Sequence, residues 1–123
     1  MASLNSKPCV LIVDDDDAVR DSLDAYLTLK GMQVTALSSA KDTLNHTGSC
    51  VDIVILDVNM PDIDGFALLS MLRGQGQLAP AIFITGLGDP EMRIRAERAG
   101  VAAFLDKPID PLALLATLNR LLT

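Results

Sequence analysis

Blocks of apolar residues alternate with amphipathic segments along the chain, and together they predict five strands and five helices. Short runs rich in β-branched and other apolar residues are typical of strands that are buried on both faces of a sheet. Such runs predict strands at about 9–13, 33–37, 51–56, 81–85 and 102–105. Apolar residues at helical spacing predict helices at about 17–30, 40–45, 66–73, 90–99 and 111–122.

Residues that begin and end helices support these boundaries. Gly31 and Gly100 follow helices 1 and 4 as stop signals. Asp89 and Asp110 each precede a proline, which is the order expected of an N-cap and the first helical position. Strands that alternate with helices in this way predict a doubly wound parallel sheet with helices on both faces.

Four of the predicted strands end at residues that can bind a cation or a phosphate. Strand 1 is followed by Asp14 and Asp15, strand 3 by Asp57, and strand 4 ends in Thr85. Strand 5 is followed, after one acid, by Lys107. In an open α/β sheet, ligands bind at the carboxyl ends of the strands. We therefore expect these five side chains to converge on one site.

The chemistry of this set indicates phosphoryl transfer. Three carboxylates at one edge repel each other unless a cation intervenes, and oxygen ligands with room for water suit Mg²⁺. Asp57 is the candidate nucleophile, because a carboxylate oxygen can attack phosphorus to form an aspartyl phosphate. Lys107 would neutralise charge on the phosphoryl oxygens and Thr85 would donate a hydrogen bond. The alternatives are an ordinary surface lysine and a strand-end turn residue. For Asp16 and Asp17 we favour a solvated acidic loop that caps helix 1.

Together these residues resemble the receiver domain of two-component response regulators. The resemblance extends from about Cys9 to Leu122 and depends on an ordered set of motifs: Val-Asp-Asp at 13–15, Asp57 with Met60-Pro61 and Gly65 behind it, Thr85-Gly86, and Phe104 three residues before Lys107-Pro108. It implies a flavodoxin-like three-layer sandwich with strand order 2-1-3-4-5. We expect a single receiver domain over residues 1–123, with an N-terminal extension of about residues 1–7.

The resemblance also implies how the metal is held. Asp15 and Asp57 would bind Mg²⁺ directly, the backbone carbonyl of Asn59 would complete the protein ligands, and Asp14 would act mainly through water. Mn²⁺ is an expected substitute. Asp57 would be the phosphoacceptor.

A switch is implied by the residues on strands 4 and 5. In the family the peptide bond between Lys107 and Pro108 is cis and directs the lysine. Phe104 occupies the aromatic switch position, where many relatives carry Tyr. Since Phe has no hydroxyl, any switching must depend on packing into the space vacated when Thr85 moves toward the phosphate. The alternative is an aromatic ring that simply packs at the edge of the sheet.

The phosphoryl group is expected to come from another protein. His46 is the only histidine and is predicted to face solvent, so a sensor histidine kinase or phosphotransfer protein is the implied donor. The surface formed by helix 4, strand 5 and helix 5 would control a downstream effector domain or protein, with a homodimer on phosphorylation as a further expectation. For Arg93, Arg95 and Arg98 a solvated charged face is favoured over a docking or dimer surface.

Composition limits the remaining function classes. A net charge of −6 argues against direct contact with nucleic acid or an anionic membrane. Cys9 and Cys50 have no metal-type spacing and are interpreted as free, core-lining thiols in a reducing compartment. No apolar run reaches the length of a membrane span, and the first seven residues lack the apolar segment of a signal peptide. We therefore expect a cytoplasmic protein.

Two other function classes are alternatives. Haloacid-dehalogenase-like phosphatases also form an aspartyl phosphate at a strand end, but they need a second acid two residues later, where this chain has Asn59. A non-phosphorylated pseudo-receiver would serve purely as an interaction module, but such domains usually lack one of the acid pair, the acceptor aspartate or the lysine. We therefore expect a switch that catalyses only its own phosphoryl transfer and dephosphorylation, not an enzyme that acts on external substrates.

Overall fold

Five strands and five helices alternate in the part of the chain that the structure, a computed structural model, describes: residues 7–46, 50–86 and 88–123. The elements are β1 (Cys9–Val13), α1 (Asp17–Leu29), β2 (Gln33–Leu37), α2 (Ala40–Asn45), β3 (Ile53–Asp57), α3 (Gly65–Gly74), β4 (Ala81–Thr85), α4 (Pro90–Arg98), β5 (Ala103–Asp106) and α5 (Pro111–Leu122). Apart from Lys7, the predicted N-terminal extension lies outside the described residues.

The five strands form one parallel sheet in the order β2-β1-β3-β4-β5, as predicted. Helices cover both of its faces and create two apolar cores. On one face, strand residues pack against four leucines of α1 and α5, which are Leu23, Leu27, Leu114 and Leu118. The opposite face packs against residues of α2, α3 and α4, namely Ala40, Leu68, Leu69, Leu72 and Ala96. The predicted three-layer, doubly wound fold is therefore confirmed.

Aspartate caps begin several helices as the sequence indicated. Asp16 accepts hydrogen bonds from the backbone N–H groups of the first turn of α1, which matches its predicted capping role. Asp89 and Asp110 cap α4 and α5, and each is followed by a proline at the first helical position. No helix within the described ranges is both long enough and apolar enough to cross a membrane.

Three details differ from the sequence predictions. β3 begins at Ile53 and includes Asp57, so the acceptor candidate is the last strand residue and not the first loop residue. Cys50 is exposed and Cys9 only half-buried, so the prediction of core-lining thiols was wrong, although both thiols are free. His46, which follows the end of α2, is half-buried with its Nε2 enclosed, so the prediction that it faces solvent was wrong.

Candidate functional site

β1 delivers Asp14 to the carboxyl edge of the sheet in a fully buried position. Its carboxylate Oδ1 accepts the backbone N–H of Asp16 at 2.8 Å, which fixes the side chain over the start of α1. Its backbone carbonyl accepts a hydrogen bond from Arg20 Nη1, also at 2.8 Å. Sequence analysis missed Arg20, which lies one helical turn into α1 and clamps the loop that carries the acid pair.

Asp57 ends β3 and is almost completely buried, with 3% of its surface exposed. Its Oδ1 accepts the backbone N–H of Asn59 at 3.2 Å. Gly65 packs directly against this strand end: a Cβ added there would lie 2.8 Å from the carbonyl oxygen of Asp57 and 2.9 Å from Cα of Val58. Gly65 therefore permits a close approach of α3 to the site, a role that its place behind Asp57 in the sequence did not reveal.

The acids predicted to share a metal do come together. Carboxylate oxygens of Asp14, Asp15 and Asp57 lie within 4.8 Å of one another, and only Asp15 is exposed to solvent. Asn59, whose carbonyl was predicted as a further ligand, follows Asp57 by two residues and is exposed. Two buried acids and one accessible acid, all with oxygen donors, fit the preference of Mg²⁺ for hard ligands and retained water.

Lys107 brings a positive charge to the same place from the end of β5. Its Nζ lies 2.9 Å from Oδ2 of Asp14 and 3.5 Å from Oδ2 of Asp57. Its backbone N–H donates to the carbonyl of Thr85 at 2.7 Å, and the Lys107–Pro108 peptide bond is cis, as the family resemblance implied. The lysine thus bridges both buried carboxylates and is not an ordinary surface side chain.

The electrostatics of the site favour a protonated or cation-bound Asp57. Burial, followed by repulsion from Asp14, raises the pKa of Asp57 to about 7, against the opposing effects of Lys107 and the Asn59 N–H. For Lys107, burial acts to lower the pKa, but its ion pairs with Asp14 and Asp57 outweigh that effect and raise the pKa overall. Near neutral pH, further positive charge beside that of Lys107 would therefore help to keep the Asp57 carboxylate ionised.

Thr85 is fully buried at the end of β4, next to the acids. Its hydroxyl accepts a hydrogen bond from Nδ2 of Asn59 at 2.8 Å. The sequence prediction for Asn59 concerned its backbone carbonyl alone. Its side chain additionally links the loop after β3 to the end of β4, a connection that no local sequence pattern signals.

The loop before α4 closes tightly around the switch candidates. Phe104 is half-buried on β5. A Cβ added to Gly88 would meet Asp106 Oδ1 at 2.6 Å and both Phe104 and Thr85 at 3.0 Å. Sequence analysis placed Gly88 outside its set of site residues, but the glycine is what allows the loop to contact both of them.

Two of the helix 4 arginines make contacts within the protein. Arg93 forms an ion pair with Asp106, and its guanidinium lies 4.6 Å from the centre of the Phe104 ring. The guanidinium of Arg95 lies 3.9 Å from the centre of the Phe66 ring on α3. These two side chains therefore connect α4 to β5 and α3. All three arginines are exposed, as expected of the favoured solvated charged face.

Comparisons with known proteins agree with this geometry. A sequence model described as the response regulator receiver domain matches residues 10–119. The C4-dicarboxylate transport transcriptional regulatory protein DctD of Pseudomonas aeruginosa is 38% identical over 124 residues, covering 98% of this chain and 26% of DctD. The transcriptional regulatory protein FixJ of Azorhizobium caulinodans is 39% identical over 112 residues, covering 89% of this chain and 53% of FixJ. The chain thus spans about a quarter to a half of these relatives.

Solved structures show the same likeness. The chemotaxis protein CheY4 of Vibrio cholerae superposes with a TM-score of 0.88 at 30% identity, covering 94% of this chain and 99% of that one. A CheY-like receiver domain protein of Methanospirillum hungatei gives a TM-score of 0.86 at 28% identity, covering 95% and 94%. This chain therefore belongs to the receiver domain family of two-component response regulators.

Proposed function

We propose that this receiver domain is a switch controlled by phosphorylation of Asp57. The observation that carries the proposal is the position of Lys107, whose ammonium lies 3.5 Å from the buried Asp57 carboxylate and 2.9 Å from Asp14. A cation held beside a buried nucleophile suits phosphoryl transfer, because such transfer depends mainly on alignment and on neutralising the phosphoryl oxygens.

The reaction is a transfer between two nucleophiles. One carboxylate oxygen of Asp57 forms a bond to the phosphorus of a phosphohistidine, and the P–N bond of the donor breaks. The electron pair of that bond stays on the imidazole nitrogen, which then takes up a proton. Lys107 pairs with one phosphoryl oxygen and the Thr85 hydroxyl donates to another, so each gains a charge-assisted hydrogen bond with the product.

The metal proposed for the site is Mg²⁺, with Mn²⁺ as a substitute. Asp15 and Asp57 would hold it with the backbone carbonyl of Asn59, while Asp14 would act mainly through water. When bound, Mg²⁺ supplies positive charge that keeps Asp57 ionised and neutralises the phosphoryl oxygens. The close approach of the three carboxylates and the raised pKa of Asp57 support this assignment.

The phosphoryl donor and the downstream effector are other proteins or domains. A sensor histidine kinase or phosphotransfer protein would supply the phosphoryl group. An effector domain or protein would bind the surface formed by α4, β5 and α5. Two phosphorylated copies of the domain would also form a homodimer through this surface. The relatives DctD and FixJ are named as transcriptional regulatory proteins, which supports an output of that kind.

With a net charge of −6, the domain itself would not contact nucleic acid or membrane. The proposal includes a cytoplasmic location, since both cysteines are free thiols.

Mass measurement after treatment with acetyl phosphate tests the acceptor. We expect the intact mass to rise by one phosphoryl unit with Mg²⁺ and to stay unchanged with a chelator. Asp57→Asn should abolish the gain, whereas Asp62→Asn, a control at an exposed acid of the neighbouring loop, should retain it. An unchanged wild-type mass, or uptake that survives in Asp57→Asn, would refute the proposal.

Hydrogen exchange tests the output surface. Thr85 and Lys107 both lie toward β5, so a phosphoryl mimic should alter the loop after β4 and the packing of Phe104. Comparing the domain with and without beryllofluoride, both in Mg²⁺, we expect larger protection changes in residues 86–108 than in residues 17–46. Changes confined to residues 17–46 would mean that the output surface lies elsewhere.

A further inference from the structure

A second cluster of potential metal ligands lies at the opposite edge of the sheet, where β1 and β3 begin. Within the described residues, one ligand atom each from Cys9, Cys50 and Asp52 lies within 4.8 Å of the others. The cysteines are 41 positions apart in the sequence, so no spacing motif announces them. Parallel pairing of the two strands brings them together.

Backbone hydrogen bonds hold this cluster in place. The N–H of Asp52 donates to the carbonyl of Cys9 at 2.8 Å, and the N–H of Cys9 donates to Oδ2 of Asp52 at 2.7 Å. The carboxylate is thereby oriented beside the thiols with its other oxygen available. Hydrogen-bonded carboxylates of this kind are typical of metal ligands, because the second partner fixes their orientation.

Solvent can reach the cluster. Cys50 and Asp52 are exposed and Cys9 is half-buried. Both cysteines and Gln33 of β2 line a cavity of about 210 Å³. The Cys9 thiol lies 3.9 Å from the amide oxygen Oε1 of Gln33, which is a fourth polar atom near the cluster. An ion could therefore enter without any rearrangement of the core.

The cluster carries a negative charge that a cation could balance. The carboxylate of Asp52 lies beside both thiols, and its Oδ2 accepts the N–H of Cys9. No Lys, Arg or His is among the described residues that line the cavity, so none of those residues supplies a positive charge beside the cluster. A bound metal ion would supply that missing charge.

We propose that Cys9, Cys50 and Asp52 form a zinc site, with water in the fourth position. Zn²⁺ binds sulfur and carboxylate oxygen together, whereas Mg²⁺ accepts oxygen ligands almost exclusively. Binding releases the two thiol protons, because the thiolate is the ligand. The ion would join the amino ends of β1 and β3, at the far end of the strands that carry Asp14 and Asp57. This site is independent of the phosphorylation proposed for Asp57.

Cobalt substitution distinguishes this site from the carboxylate site. The full chain is kept reduced and in excess Mg²⁺, and Co²⁺ is titrated in while near-ultraviolet absorption is recorded. Bonds between thiolate and Co²⁺ give a charge-transfer band, which carboxylate ligands alone do not. We expect a band that saturates at one Co²⁺ per chain and disappears when Zn²⁺ is added.

Variants identify the ligands. Cys50→Ser should weaken Zn²⁺ binding more than about 10-fold, since even outer partners of metal ligands contribute that much, and Asp52→Asn should act in the same direction. Glu97→Gln, which removes an exposed acid on α4, should bind normally. Thermal melts without metal establish that each variant folds. When Zn²⁺ is added, binding at the thiol site should raise the Tm only in the wild type and in Glu97→Gln.

Several results would overturn the proposal. They are the absence of a charge-transfer band in the wild type, a band of equal strength in Cys50→Ser, or Zn²⁺ affinity that is unchanged in a Cys9→Ser/Cys50→Ser double variant. A loss of two hydrogens from the intact mass under the same reducing conditions, with no band, would identify a disulfide and equally exclude the zinc site.

Discussion

The two ends of the β1–β3 strand pair both gather potential cation ligands, but they differ in burial and in charge balance. At the carboxyl end, Asp14 and Asp57 are buried and share the ammonium of Lys107. At the amino end, Cys50 and Asp52 are exposed, and no cation lines the adjacent described cavity. Burying charge raises its free energy, so the carboxyl end holds unfavourable electrostatic energy that a proton, a metal ion or a new ligand can relieve.

This difference implies different behaviour when each end is perturbed. Removing the ammonium of Lys107 at the carboxyl end leaves two buried acids without the positive charge that balances them. At the amino end, Cys50 and Asp52 are exposed to water, so the stability of the metal-free protein should depend less on that cluster. Coupling between protonation, charge and stability should therefore be concentrated at the end that carries Asp57.

The largest effect is expected from Lys107→Ala. This variant removes the ammonium that faces both Asp57 and the incoming phosphoryl group, and loss of one such group costs about 100-fold in rate at comparable sites. The initial rate of phosphoryl uptake from acetyl phosphate in saturating Mg²⁺, followed by intact mass, measures the effect. Lys41→Ala, at an exposed position on α2, is the control. A rate within threefold of wild type would show that Lys107 does not assist the transfer.

A pH dependence of metal-free stability is the next largest effect. The pKa of Asp57 is raised to about 7 from an ordinary 3.8, so between these values the folded state binds more protons than the unfolded state. The contribution of Asp57 to the free energy of unfolding should therefore be largest below about pH 4 and should be lost as the pH rises through about 7. Each unit of pKa difference corresponds to about 1.4 kcal/mol, so the effect should be on the order of a few kcal/mol.

Urea unfolding between pH 4 and 8 in a chelator measures this dependence. Other groups contribute a background slope, so the informative quantity is the difference between wild type and Asp57→Asn. That variant should lose the part of the slope that Asp57 contributes and should be more stable than wild type at pH 8. Asp52→Asn, at the exposed amino end of β3, should keep the wild-type slope. If the free energy of unfolding changes equally with pH in the wild type and in Asp57→Asn, Asp57 does not couple protonation to stability, and the proposed electrostatic difference between the two ends is wrong.

The sequence predicted the carboxyl-end site but not the amino-end cluster, because the first depends on local pattern and the second on a long-range contact. The carboxyl-end site was predictable because each residue follows its own apolar run, and parallel strands align their carboxyl ends whatever their register. Asp14, Asp57 and Thr85 are therefore found together without knowledge of any long-range contact. The amino-end cluster depends on how the segment before β3 runs past Cys9, and a separation of 41 positions carries no such information.

Close approaches between backbones were equally invisible in the sequence. In the sequence, Gly65 is visible only as part of the motif behind Asp57, and Gly88 is not among the predicted site residues. What matters at both is the atom that an added side chain would meet. The exposure of Cys50 and the half-burial of His46 were also missed, since the burial of a single side chain depends on packing that no local pattern signals. Strand and helix order follows from local pattern, whereas these features arise only from packing.

Gly88→Ala should produce a moderate effect at the carboxyl end. A Cβ there would lie 2.6 Å from Asp106 Oδ1 and 3.0 Å from Phe104, so the loop must shift. Overpacking of this kind costs about 1–2 kcal/mol. Gly86→Ala is a matched control, because its Cβ would meet nothing within 4 Å. If urea unfolding gives the same free energy for both variants, the loop does not pack tightly against Phe104, and the basis for coupling it to Thr85 is weakened.

The smallest change in metal-free stability is expected for Asp15→Ala. Asp15 shares the carboxylate cluster but is exposed, so removing it relieves repulsion by no more than about 0.5 kcal/mol, the scale of an exposed charge interaction. Its effect on Mg²⁺ should be much larger, since the proposed site loses its accessible carboxylate. Thermal melts with and without Mg²⁺ separate the two effects: the variant should melt at or slightly above the wild-type Tm without metal and should gain little from Mg²⁺. Asp52→Ala, the corresponding change at the amino end, should keep the full Mg²⁺ response. A variant whose Tm rises with Mg²⁺ as much as that of wild type would show that Asp15 is not a principal ligand, leaving the buried pair Asp14 and Asp57 to hold the ion.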